Sequence, residues 1–187
     1  METEIKLNLG CGSQLKKGFV NVDKHGDPDL RHDLEVFPWP WPDSCVREIE
    51  MNHVLEHLGR DTDVYLNIIK ELYRVSKDQA LIYITVPHPR HDDFLNDPTH
   101  VRPITPDGLG LFSKKNNEVW IKGGNANAPL GVFLNVDFEV THIHVTPDPI
   151  WIKLLADGKK SEAEFASATK NHNNVIKQYR ITVKVVK

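Results

Sequence analysis

The sequence predicts an α/β domain built on a mostly parallel sheet, and three observations carry this. Residues 4–9, EIKLNL, alternate as a strand and run straight into Gly10-Cys11-Gly12. Residues 80–86, ALIYITV, form a nearly unbroken apolar run, as expected of a central parallel strand covered on both faces. The order strand, turn, strand, strand, helix, strand is that of a parallel α/β sheet.

Each element follows from its local pattern. Residues 19–23, FVNVD, are a short β-rich run ending in an acid, and residues 29–34, DLRHDL, are a weaker strand. A loop with Pro38, Pro40 and Pro42 follows. Residues 46–51, VREIEM, alternate again, and NHVLEHL ends at Gly59. Residues 61–75 read as a helix, with Asp61 as its cap and Val64, Ile68, Leu72 and Val75 at helical spacing. Five prolines between Pro87 and Pro106 predict a long loop, of the kind that is usually functional. Residues 107–115 suit a short helix, and residues 132–140 a strand with Val132, Leu134, Val136, Phe138 and Val140 on one face. Ser161 and Glu164 make a capping-box pattern for a helix to about residue 170. Asn173-Asn174 turns the chain into a last strand. That strand sets Val175, Tyr179, Ile181, Val183 and Val185 on one face, and Gln178, Arg180, Thr182 and Lys184 on the other.

A chain of 187 residues fits one domain. The net charge of −3 and scattered Lys-Lys pairs argue against a dedicated nucleic-acid binder. Two cysteines make no disulfide framework, METEIKLNLG carries no apolar leader, and no run is long enough to span a membrane. The expectation is a cytoplasmic protein. Within the single domain, residues 87–115 are expected to act as a lid over a substrate, and residues 147–172 as a helical insertion before the last strand.

The most informative pairing is LNLGCG with VNVD. In open parallel sheets, ligands bind beyond the carboxyl ends of the strands. Glycines there let a ligand approach the backbone, and Asp23 at the end of the next strand is placed for ribose hydroxyls. No G-x-x-x-x-G-K-[ST] is present, and Gln14 and Leu15 stand where a dinucleotide fingerprint has its third glycine. A nucleoside without a pyrophosphate is favoured.

LNLGCGS, GFVNVD, HDL, FPWPWPDS, NHVLEHL and ITVPHP, in this order, resemble the class I S-adenosylmethionine-dependent methyltransferases, and most of all the compact type 11 group. The resemblance covers roughly residues 4–112. It implies a Rossmann-like, mostly parallel seven-stranded sheet with helices on both faces and an antiparallel final strand. It implies S-adenosylmethionine as cofactor and a small-molecule or glycan-like acceptor, methylated at oxygen or nitrogen. Gly10, Cys11 and Gly12 would then surround the methionine part, Asp23 the ribose, and Asp33 and Leu34 the adenine. Asn52 and His53 would lie beside the amino-acid tail and sulfonium. Three departures stand out. Only six residues, Ser13 to Gly18, join Gly12 to the second strand, so the first crossover is clipped. No helix precedes the first strand, and Val46-Arg47 replaces the usual Phe-Asp.

HVLEH also matches H-x-x-E-H, in which His53 and His57 on one helical face would bind zinc in a hydrolase. The methyltransferase reading instead puts this stretch beside the cofactor, with no metal ligand assigned. Residues 87–105 gather His88, His91, Asp92, Asp93, Asp97, His100 and Arg102. Histidine titrates near neutral pH, so His100 or His57 is a candidate general base, with Asp97 orienting His100. A metal held by Asp and His of this loop, and a degenerate module that binds cofactor without turnover, are the remaining alternatives. Trp39 and Trp41 are expected to cover the sheet edge rather than stack on an acceptor.

Overall fold

The structure, a computed structural model, describes residues 4–187; the first three residues of the METE opening lie outside them. Seven strands form one sheet: β1 Ile5–Leu9, β2 Val20–Asp23, β3 Leu30–Arg31, β4 Val46–Asn52, β5 Ser76–Pro87, β6 Phe138–Pro147 and β7 Ile176–Val185. Their order is β3-β2-β1-β4-β5-β7-β6. The first five strands are mutually parallel, and β7 runs antiparallel between β5 and β6. The helices are α1 Thr62–Val75, α2 Asp92–Leu95, α3 Pro106–Gly110, α4 Lys114–Lys122, α5 Leu130–Leu134, α6 Pro149–Ala156 and α7 Glu162–Asn171. No helix among the described residues is long and apolar enough to cross a membrane.

The clipped crossover is possible because β2 is short and set high in the sheet. Val20 pairs with Leu7, only two residues back from the end of β1. The return path along the strand direction is therefore about 7 Å, instead of a whole strand length. A polar network replaces the missing helix. Asn8 Nδ2 donates to Asn21 Oδ1 (2.9 Å), which also accepts from Lys16 N (2.7 Å), and Asn21 Nδ2 donates to Asp29 (2.7 Å).

The helices share the sheet unequally. Ile69 and Leu72 of α1, Leu109 of α3, and Phe112 close over Ile82, Ile84 and Val183, leaving a void of only about 20 Å³. The opposite face is polar. Lys6 pairs with Glu48 (2.6 Å), Lys16 with Glu50, and Lys184 with Glu139 (2.5 Å). In the middle of β5, Tyr83 is 37% exposed, while Ala80, Ile82, Ile84 and Val86 are buried. The expectation that residues 80–86 are covered on both faces is thus corrected. No helix lies in the segments β1–β2, β2–β3 or β3–β4 to cover the second face.

Two further expectations change. Residues 132–134 belong to α5, and the strand starts only at Phe138 and continues to Pro147. The helix expected over 107–115 is two helices, α3 and α4, separated by Leu111–Ser113. Other local signals hold. Asp61 caps α1 by accepting from Asp63 N, and Ser161 with Glu164 forms a full capping box on α7. Trp39 and Trp41 are buried, with Trp39 N donating to Glu71 and Arg74 bonding Glu71 and both tryptophan carbonyls. Burial works against the Glu71 carboxylate, but Arg74 and the Trp39 N–H outweigh it and hold its pKa below the usual range. Trp151 and Phe165 pack on each other at 5.7 Å, joining α6 to α7.

Candidate functional site

A cleft of about 510 Å³ opens at the carboxyl ends of β1, β2 and β4. That is where the parallel strand order reverses direction, with β1 flanked by β2 on one side and β4 on the other. Its volume suits a small organic ligand. Gly10, Asp23, Asp33, Leu34 and His53 line it, from four separate segments of the sequence. Lys24, His25, His32, Glu35, Val54, His57, Leu58 and Thr99 complete the wall.

Gly10 shapes the floor. It has φ +63°, and a Cβ there would stand 2.5 Å from Val54 Cγ2. Only glycine allows both the turn and the approach of residues 53–58 to the end of β1. Cys11 is buried rather than facing the cleft; it donates N–H to Val22 O (3.1 Å), and burial with nearby Asp23 pushes its thiol pKa up. Gly12 N donates to Asp23 Oδ2 (2.8 Å), and His25 N donates to Asp23 Oδ1 (2.8 Å). Each Asp23 oxygen thus accepts one backbone N–H and keeps a lone pair for a further donor. Asp33 Oδ1 accepts from Glu35 N (3.0 Å), and Lys24 Nζ stands 3.8 Å from Asp33 Oδ2.

At the end of β4 the chain turns sharply. His53 takes φ +53° and donates its N–H to Thr85 O (2.9 Å). Asn52 therefore lines a different, shallow cleft on the polar sheet face, with Tyr83, Thr85 and Arg180, while His53 faces the main cleft. The following residues make a single 3-10 turn, Leu55–His57. With His53 outside that turn, the two histidines of H-x-x-E-H do not share a helical face, which removes the geometry of the zinc-hydrolase alternative. Glu56, at its centre, is wholly buried and points away from water.

The 87–105 loop divides by role. His88 is buried against Tyr179 (ring centroids 5.0 Å) and accepts from Arg90 N; burial, and then Arg90, lower its pKa to about 4. His91 is buried, accepts from Asp93 N at Nδ1, and stands 3.2 Å from Asp148 at Nε2. Both hold the loop to the body. Only the 97–102 part reaches the cleft, because Val101 N and Arg102 N donate to Glu56 O. His57 Nδ1 lies 2.9 Å from Thr99 Oγ1, and the His57 and His100 ring centroids are 4.6 Å apart. Asp97 Oδ1 bonds Thr99 N and Oγ1, while Asp97 Oδ2 stays 3.7 Å from His100 Nε2, beyond hydrogen-bond distance. Glu56 is the glutamate of H-x-x-E-H but was given no role of its own in the sequence, and no local pattern marks Thr99 as part of the cleft.

No family model matches the chain, and no curated protein does. Solved structures do. An S-adenosylmethionine-dependent methyltransferase from Archaeoglobus fulgidus is similar over 97% of this chain and 86% of its own, at 19% identity and TM-score 0.63. One from Methanosarcina mazei matches over 100% and 94%, at 15% identity and TM-score 0.54. The 1,6-didemethyltoxoflavin-N1-methyltransferase of Burkholderia thailandensis, solved with bound 1,6-didemethyltoxoflavin and S-adenosylhomocysteine, matches over 98% and 71%, at 12% identity and TM-score 0.54. The chain has the Rossmann-like fold that these proteins share.

Proposed function

We propose that the protein transfers a methyl group from S-adenosylmethionine to a small-molecule or glycan-like acceptor, at oxygen or nitrogen. One observation carries the reading. The residues that the sequence resemblance assigns to ribose, adenine and methionine contacts, Asp23, Asp33 with Leu34, and Gly10, converge on one cleft at the switch point of the sheet. The fold likeness to methyltransferases, one of them holding S-adenosylhomocysteine, supports it.

The chain fits the cofactor in two respects visible in its own residues. Asp23 keeps an acceptor lone pair on each oxygen for a pair of ribose hydroxyls. Gly10 leaves open the backbone approach that a side chain would fill. When bound, S-adenosylmethionine supplies an electrophilic methyl group: the acceptor–carbon bond forms as the carbon–sulfur bond breaks, and S-adenosylhomocysteine leaves. The chain's part is to hold donor and acceptor in line, which supplies much of such catalysis. His57 lines the acceptor side, and with Nδ1 held at Thr99 its Nε2 is left to take a proton from the acceptor. His100, its ring centroid 4.6 Å from that of His57, and Asp97, through Thr99, support its position. Within the 87–115 segment, residues 97–102 serve as the acceptor lid, and the α6–α7 insertion holds the start of the segment through the His91–Asp148 contact.

Calorimetric titration of metal-free protein with S-adenosylmethionine and S-adenosylhomocysteine tests this. Micromolar binding is expected, weakened at least tenfold in Asp23→Ala, which removes the ribose acceptor (about 1.4 kcal/mol or more). Absence of binding by folded wild type sinks the reading. Retained turnover after alanine at both His57 and His100 sinks the base assignment alone.

A further inference from the structure

Beside the cleft, Glu56, His57 and His100 each bring a donor atom within 4.8 Å of the others. Two features of this cluster are hard to explain as packing. The first is Glu56. Its side chain has no exposed surface, and neither carboxylate oxygen has a hydrogen-bond partner. His53 Nδ1 stands 3.3 Å from Oε1 as an ion pair, and Glu56 raises the His53 pKa, yet the contact lies outside hydrogen-bond geometry and Oε2 has no partner. A buried carboxylate without hydrogen bonds is costly unless a cation stands beside it. The second is how the imidazoles are held. Thr99 Oγ1 gives its proton to Asp97 Oδ1 (2.6 Å), so it accepts from His57 Nδ1–H. His100 Nδ1 donates to the Phe94 carbonyl (2.9 Å). In both rings the tautomer is set by an outer partner and Nε2 makes no hydrogen bond, with Asp97 Oδ2 3.7 Å from that of His100. This is the arrangement found around metal-ligating histidines.

We infer that Glu56, His57 and His100 form a binding site for one divalent first-row transition cation at the edge of the cleft. Two imidazoles and a carboxylate suit Mn²⁺, Fe²⁺, Co²⁺ or Zn²⁺ better than Mg²⁺ or Ca²⁺, which take oxygen ligands. Bonds of about 2.1 Å place ligand atoms roughly 3–4 Å apart, so the side chains need close in only slightly. The backbone already ties the two halves together, through the Val101 and Arg102 N–H groups on Glu56 O. His57 and Thr99 also line the main cleft, so coordination positions not taken by the protein open onto it. On the methyl-transfer reading, on which this last step rests, the acceptor is then one with an oxygen that ligates the cation. With the cation bound, His57 Nε2 is a ligand, so its role as proton acceptor holds only for the metal-free protein.

The test uses dialysed, metal-free wild type titrated separately with Mn²⁺, Co²⁺ and Zn²⁺, by calorimetry and by Co²⁺ visible absorption. One cation per chain is expected, with a Co²⁺ spectrum lacking a thiolate charge-transfer band and a rise in thermal midpoint. Glu56→Gln and His100→Gln, each checked for fold by circular dichroism, are both expected to weaken binding at least a hundredfold. If one of them does not fold, the other carries the comparison. No stoichiometric binding by wild type overturns the site and leaves the His53 ion pair to offset the Glu56 charge. Binding unchanged in the folded variants also overturns it, because surface histidines alone then account for the metal. S-adenosylhomocysteine titrated into the same metal-free wild type reports on the methyl-transfer reading independently. Metal binding without cofactor binding keeps the site and removes that reading; cofactor binding without metal does the reverse.

Discussion

At the scale of the residue, Gly10 and His88 make the sharpest demands. Gly10→Ala meets both a positive φ and the Val54 methyls at 2.5 and 2.6 Å. A loss of about 2–3 kcal/mol is expected from strain and overpacking. Val54→Ala in the same chain is expected to recover the clash but not the φ strain, so denaturant titration of the double mutant should show partial rescue. His88 gives a pH signature. Its folded pKa of about 4 lies below the ordinary histidine value, so the unfolded chain binds more protons between pH 6.5 and 4. Its contribution to stability is therefore complete above that window and is lost as pH falls through it. Urea titrations at pH 7 and pH 5 should show wild type losing roughly 1 kcal/mol more than His88→Asn, allowing for solvent that reaches the loop.

At the scale of the element, the unusual piece is the β1–β2 connection. A helix would normally satisfy its own backbone there, whereas here Asn21 does so for its neighbours. It accepts from Asn8 and Lys16 N and donates to Asp29. Asn21→Ala leaves these groups unpaired in a partly buried position, which should cost about 2–3 kcal/mol. Because Asp23 lies two residues on, the same variant should also weaken S-adenosylhomocysteine binding. A variant with lowered stability but unchanged affinity would separate the connection from the cleft. By contrast the α7 cap is local. Ser161→Ala should cost about 1 kcal/mol and leave the cleft untouched, as thermal unfolding and ligand titration would show.

At the scale of the whole molecule, a parallel sheet is covered on one face and open on the other. Parallel sheets are usually buried on both sides. Here the strands alternate apolar and polar instead, so the open face carries Lys–Glu pairs and Tyr83. Stability should follow that asymmetry. Ile82→Ala, on the covered face at 1% exposure, should cost about 2–5 kcal/mol, while Tyr83→Thr next to it should cost less than about 1 kcal/mol. Comparable losses at the two positions, measured by denaturant unfolding, would mean that the polar face is covered in solution.

The sequence by itself determined what depends on neighbours a few residues away. Strand alternation, the Asp61 and Ser161 caps, the Gly10 turn and the Asp23 placement were all legible, because each is a local backbone or capping requirement. The polar faces of β4 and β7 were legible too, but not that of β5, where ALIYITV reads as apolar on both sides and nothing local says that no helix covers it. Tertiary structure decided the rest. Val132 and Leu134 continue the alternation read over 132–140, yet they coil into α5, because Gly131 packs under Phe112 O and Asn117, wholly buried, bonds Val132 N. His57 and His100 are 43 positions apart in sequence and meet only because the 97–102 loop bonds to the carbonyl of Glu56. The burial of Glu56 depends on the same closure. A lone pair or a buried charge acquires chemical meaning from what surrounds it in space, and periodicity along the chain carries no record of that.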